Sequence, residues 1–286
     1  MTTSETSAIC NPRPDAAWFL PAAAATSVGL AALLRLLGVT LPARGLPGGE
    51  VTVATRRVRA GQSLFHAGTP MDAVHFVAVG TFKCLHVAED GYEQVLGFHG
   101  RGEVLGYDAL FNGVHPTSVV ALEDSSVLAL SPADLASLCW QMREVDRALQ
   151  REVSRQLAQR VVVAHLMAAV SAEVRLARFL VHQSDRMAEC GQSPRRLLLR
   201  MGRRDIASHI GVAHETVSRS FSTLVQWGCL AVCNRDIEIL DLQRLRACAR
   251  STRGLADDTV DDAAAPVVRV PMAAPRAHAA EVRCAA

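Results

Sequence analysis

Lysine is almost absent from this chain: 286 residues hold one, Lys83, against 29 arginines. So lopsided a ratio reads as the mark of a GC-rich genome rather than of chemistry. Enzyme signatures are missing too. No Ser–His–Asp set, phosphate-cradling glycine loop or H-E-x-x-H helix occurs, which argues against catalysis. Eight cysteines (10, 84, 139, 190, 229, 233, 248 and 284) fall without a disulfide-like rhythm, and no secretory signal is recognisable. A reduced, cytoplasmic setting is therefore expected. The uncharged stretch from Ala16 to Leu34 borders on membrane-span length. Pro21 interrupts it, Arg35 closes it and no basic region precedes it, so no membrane association is expected.

What is present points to a globular chain, with 50% hydrophobic residues and a net charge of only +2. The charge is unevenly placed. Residues 195–250 carry ten arginines against five acids, the kind of local surplus that phosphates attract.

Texture divides the chain into five parts. Residues 1–48 are rich in Ala, Pro and Gly and read as a flexible or loosely helical extension. Residues 49–132 hold short β-like runs punctuated by glycine, as in an all-β roll, with a hairpin signal at Glu89-Asp90-Gly91-Tyr92. Over residues 133–169, Ser131 and Pro132 open a short helix, and a long one follows from about Glu144 to Met167. Along it Leu149, Val153, Leu157, Val161 and Ala164 form an apolar stripe close to a coiled-coil seam. Residues 170–250 contain a helix, a short strand, a helix pair and two strands turning at Asn234-Arg235-Asp236. Residues 251–286 are aperiodic and read as a disordered tail.

The helix pair is the most specific signal. In RRDIASHIGVAHETVSRSFSTLVQWG, Ile206, Ala207 and Ile210 share one face of the first helix, and Gly211 supplies the turn. On the second helix Val217, Phe221 and Leu224 recur at core spacing, opposite a polar stripe of Glu215, Ser218, Arg219 and Ser222. Arginine bonds guanine O6 and N7 together, glutamate accepts from cytosine N4, and serine bonds base edges or phosphate. That combination predicts a helix built for the major groove of double-stranded DNA.

The run His214–Arg219, HETVSR, resembles the bacterial CRP/FNR transcription factors. The likeness spans roughly residues 50–250 and is nearest the fumarate–nitrate branch, whose E-T-[IV]-S-R signature matches Glu215, Thr216, Val217, Ser218 and Arg219. The resemblance implies an α+β chain: an N-terminal β-roll (a cyclic-nucleotide-binding-like jelly roll), a long dimerisation helix and a C-terminal winged helix-turn-helix. It implies that Glu215, Ser218 and Arg219 read a TTGAT-like half-site. His214, Thr216, Ser222, Arg203 and Arg235, the last at the wing tip, are further contact candidates. The apolar stripe would join a homodimer over a TTGAT-N4-ATCAA-like palindrome. The hairpin Val87–Gln94, with Glu89, Asp90 and Glu93, would meet RNA polymerase, activating or blocking transcription.

The family's usual switches are not legible. A cyclic nucleotide needs an Arg-Ser pair after a G-E-x-x-G-E turn. Here Gly102, Glu103 and Gly106 remain, but Tyr107-Asp108 and His115-Pro116-Thr117-Ser118 follow, with no arginine between Arg101 and Arg143. The fumarate–nitrate regulator's iron–sulfur cluster needs four thiolates. Only Cys10 precedes residue 84, and Leu128 stands where the family's β-domain cysteine would be. Neither cofactor is expected, and the sequence specifies no effector. Cys84 with His86 is half a metal site at best, histidines 66, 75, 86, 99 and 115 could include a haem ligand, and Cys229 with Cys233 could form a redox pair. The rival reading is a β-roll sensor of a small molecule or redox state that acts through protein contacts. The arginine surplus and the Glu-x-x-Ser-Arg stripe argue against it.

Overall fold

Eight strands follow one another through the first half of the chain: β1 (Ala54–Val58), β2 (Ser63–Phe65), β3 (Val74–Val79), β4 (Phe82–Val87), β5 (Glu93–His99), β6 (Val104–Leu105), β7 (Ser118–Ala121) and β8 (Ser125–Leu130). The structure is a computed structural model that describes residues 26–40, 51–169 and 171–251. The strands form two antiparallel sheets, in the orders β1-β8-β3-β6 and β2-β7-β4-β5. Val77, Phe82 and Val127 are fully buried between them with Leu64, Leu105 and Val119, as the apolar alternation of half-buried strands requires. At the β3–β4 turn Gly80 has φ 96°, and a Cβ there would lie 2.0 Å from Ser125 Oγ, so only glycine fits.

Helix α1 (Thr26–Leu36) corrects one expectation. The sequence assigned residues 1–48 to an extension, yet Leu30, Leu33 and Leu34 are buried in the same core as Phe76 and Leu130. Their i, i+3, i+4 spacing is that of a helix packed on one face, and Ala-rich flanks obscured it. Residues 1–25 and 41–50 lie outside the described residues, as does the expected tail from residue 252 onward. Among the described residues no helix is long and apolar enough to cross a membrane.

Helix α2 (Pro132–Gln141) starts as its sequence dictates, with Ser131 Oγ accepting from the Asp134 N–H at 3.0 Å. Helix α3 (Arg143–Met167) then leaves the roll. Its first turns are anchored, because Val145, Ala148 and Leu149 belong to the core shared with α1. Leu149 is therefore a core residue of its own chain rather than a free member of the apolar stripe. Beyond it Val153 is half-buried, while Leu157 (65%), Val161 (68%) and Ala164 are exposed.

The C-terminal part comprises α4 (Ala172–Glu189), β9 (Arg196–Leu198), α5 (Arg203–Ile210), α6 (His214–Gln226), β10 (Leu230–Cys233), β11 (Asp236–Ile239) and α7 (Leu242–Arg250). The strands pair in the order β10-β11-β9. Asn234, at φ 55°, makes the β10–β11 turn. A β-roll, a long helix and a winged helix-turn-helix make the chain α+β, as the resemblance implied.

Candidate nucleic-acid interface

The turn between α5 and α6 has little freedom. Gly211 lies at φ 65°, and a Cβ there would meet Met167 Sδ at 2.9 Å. Arg175 on α4 donates to the carbonyls of Ile210 (3.2 Å), Gly211 (3.0 Å) and Ala169 (2.8 Å), which satisfies the open end of α5. Ile206, Ala207 and Ile210 on one side and Val217, Phe221 and Leu224 on the other are all buried. Ser220, fully buried, donates to Glu173 Oε1 at 3.1 Å and ties α6 to α4. The Glu173 and Arg175 braces were not legible, because both act across loops.

This packing turns the opposite face of α6 outward. His214, Glu215, Ser218, Arg219 and Ser222 are exposed and Thr216 is half-buried. Among the described residues Glu215 and Arg219 have no ion pair. Ser218 and Ser222 donate back to the carbonyls of His214 (3.4 Å) and Ser218 (3.2 Å), bonds that rotate away easily. Ala213 occupies the N-cap without a side-chain bond, leaving first-turn N–H groups open to an anion such as a phosphate. Arg235 is exposed at the wing tip. Arg203 differs from the others: it is half-buried, with Cζ 3.4 Å from the Phe221 ring centroid and Nη2 donating to Asn234 O at 3.4 Å. Its guanidinium is occupied within the domain, which gives it a bracing place rather than a free contact.

In the roll, Glu103 is 3% exposed and charged. Burial alone would raise its pKa, but the His99 hydrogen bond and the charges of His99, Arg186 and Arg155 outweigh it and hold the carboxyl well below the usual range. Arg155 comes from α3 at 3.3 Å, His99 from β5 at 2.9 Å, and Arg186 from α4. A carboxylate so occupied is not available to a ribose hydroxyl. Where a nucleotide phosphate would need a cation, Ser118 Oγ accepts from the Ala67 N–H (2.9 Å) and Thr117 Oγ1 bonds Cys84 Sγ (3.1 Å). This donor set does not fit a cyclic nucleotide.

Cys10 and Cys284 lie outside the described residues, and among the described residues the other six thiols do not gather in one place. Leu128 is buried in β8, and among the described residues no three of His, Cys, Asp or Glu could hold a metal. Cys84 is half-buried while His86 is exposed, and Cys229 is buried while Cys233 is exposed, all as free thiols or imidazole. The roll's unmet polar groups lie elsewhere. His75 Nδ1 and both ring nitrogens of His115 are buried without partners among the described residues, and Phe65 stacks on His115 at 3.8 Å. Glu89 and Asp90 are exposed on the β4–β5 hairpin, whereas the Glu93 carboxylate lies 3.6 Å from Lys83.

Comparison with known proteins follows the same division. Residues 55–141 match the cyclic nucleotide-binding domain family, and residues 174–248 match the Crp-like helix-turn-helix domain. The chain is 33% identical to the transcriptional regulatory protein btr of Bordetella pertussis, over 74% of this chain and 90% of that protein. It is 35% identical to the fumarate and nitrate reduction regulatory protein of Salmonella typhimurium, over 70% of this chain and 80% of that one. Among solved structures, FixK2 from Bradyrhizobium japonicum superposes with a TM-score of 0.62 at 26% identity, covering 71% of this chain and 98% of that one.

Proposed function

Because the chain belongs to the CRP/FNR family of DNA-binding transcription regulators, which are not enzymes, we propose that it acts in the cytoplasm as a homodimer reading a TTGAT-N4-ATCAA-like palindrome. Glu215, Ser218 and Arg219 read base edges, with His214, Thr216, Ser222 and Arg235 around them. Leu157, Val161 and Ala164, with Val153, form the dimer seam. Two-fold symmetry then sets one recognition helix on each half-site, about one helical turn apart. The bound dimer contacts RNA polymerase through Glu89 and Asp90 of the hairpin, with Glu93 beside them.

One observation carries this reading: α6 exposes Glu215 and Arg219, which have no ion pair among the described residues, on the part of the chain that holds the arginine surplus. Phosphate contacts supply salt-dependent affinity, and these side chains supply the sequence preference. A gel shift at moderate salt tests it. The palindrome should retain binding that scrambled duplexes lose, and equal binding to both would refute it.

A further inference from the structure

In the sheet β2-β7-β4-β5, β5 is an outer strand. Such an edge normally presents unpaired N–H and C=O groups. Here α5 of the DNA-binding part occupies it. Ser208 Oγ donates to Glu93 O at 2.7 Å and accepts from the Val95 N–H at 2.8 Å. The next residue, His209, meets Val95 O through Nδ1 at 3.3 Å. Burial lowers the pKa of His209 to about 4, so the ring is neutral and Nδ1 carries the proton it donates. The ring packs against Phe98 of β5 and Phe179 of α4, with centroids at 5.1 and 5.7 Å. Lys83 on β4 adds a 2.8 Å ion pair to Asp205, in the first turn of α5.

We propose that this docking of α5 on the β5 edge, through Ser208, His209 and the Lys83–Asp205 pair, is the ruler that fixes how far apart the two half-sites of the operator must lie. The inference rests on the dimeric, palindrome-reading function above. The dimer seam lies on α3, and α3 is fixed to the roll because Val145, Ala148 and Leu149 are in its core. Helices α5 and α6 share the core made by Ile206, Ile210, Val217 and Phe221, so they move together. A reading head held only through the α3–α4 connection would swing. The Arg186–Glu103–Arg155 cluster joins α4 to the roll and α3, and Arg200 after β9 adds a more solvent-exposed pair with Glu123 of the roll at 3.2 Å. Neither tie holds α5 itself, and the α5–β5 contact is the one that fixes it. One base pair shifts a half-site by about 3.4 Å along the duplex and about 35° around it, so a fixed head discriminates spacers and a pivoting one does not. Ser208, His209, Lys83 and Asp205 are thus positioning residues for recognition.

The test uses the full chain and fluorescence anisotropy on duplexes carrying two TTGAT half-sites, with the spacer shortened or lengthened by one or two base pairs, and on a duplex with one half-site. Wild type should prefer one spacer by about tenfold, equivalent to ~1.4 kcal/mol. The Ser208→Ala, Lys83→Met double variant should flatten that preference to about threefold or less, with single-half-site affinity unchanged. Ser208→Thr with Lys83→Arg keeps the hydroxyl and the charge and should restore the preference. An unaltered spacer profile in the double variant would overturn the ruler, and so would tighter binding at every spacer, which would make the docking a restraint on binding. Loss of half-site preference in wild type would instead remove the DNA reading on which the ruler rests.

Discussion

Arg203, at the start of α5, places its guanidinium carbon 3.4 Å from the centre of the Phe221 ring on α6. Its second tie, to Asn234 O, reaches the wing turn, so one side chain joins both helices and the wing. Cation–π contacts of this kind contribute about 0.5–2 kcal/mol. Arg203→Ala should lower the unfolding free energy of the protein by about 1–2 kcal/mol, measured as a urea midpoint. Arg203→Lys should recover only part of it, because an ammonium lacks the planar stacking surface.

Arg219 contrasts with Arg203, because it is exposed on the outer face of α6 rather than packed within the domain. Arg219→Ala should leave the urea midpoint unchanged and weaken binding to the palindrome by about 1–3 kcal/mol. The loss should concentrate at one guanine of each half-site. Equal weakening on every duplex in an anisotropy series would assign Arg219 to phosphate instead.

The seam predicts a change in mass rather than in fold. Leu157 and Val161 are 65% and 68% exposed, so Leu157→Glu with Val161→Glu disturbs no core packing within the chain. Sedimentation should show a monomer with unchanged circular dichroism, and palindrome affinity should fall to that of a single half-site. Leu149→Ala should behave differently. It opens a cavity in the roll and costs about 2–5 kcal/mol of stability.

Acid should destabilise the protein before its carboxylates titrate. Burial lowers the pKa of His75 and of His209 from the ordinary 6.5 to about 4, and His115 shifts in the same direction. Between those values the unfolded chain binds protons that the folded chain refuses. Their contribution is thus fully present above 6.5 and lost as pH falls toward 4. Each of the two should cost about 1.4 kcal/mol per pH unit across that window. His99 adds no slope there: hydrogen bonds to Cys84 and Glu103 outweigh its burial and raise its pKa, so it is protonated in both states. Urea midpoints measured from neutral to mildly acid pH check the slope, and His209→Gln should reduce it.

Local periodicity made the reading head legible. Val217, Phe221 and Leu224 at helical spacing, with Gly211 before them, needed no knowledge of distant residues. The β-roll was legible for the same reason, through short alternating runs and glycine turns such as Gly91. What escaped were contacts between residues far apart in sequence. Ser208 and Glu93 are separated by 115 positions and Lys83 and Asp205 by 122, and nothing local marks a serine as the partner of a strand edge. Leu149 looked like the start of a seam because its spacing is that of the seam. Only the presence of α1 and β3 beside it shows that the roll reaches it first. Helix α1 was missed because an Ala-rich surround masked the Leu30, Leu33, Leu34 face.

The near-absence of lysine has a practical side once its one representative is located. Lys83 holds the chain's single side-chain amine, its side chain is 16% exposed, and it is paired with Asp205 across the junction of roll and reading head. An amine-directed reagent applied to the folded protein therefore has one internal target, guarded by the docking of α5. The rate of acylation at that nitrogen becomes a built-in optical or mass-spectrometric clock for how often the reading head lifts from the roll, readable in the native chain without introducing any label site.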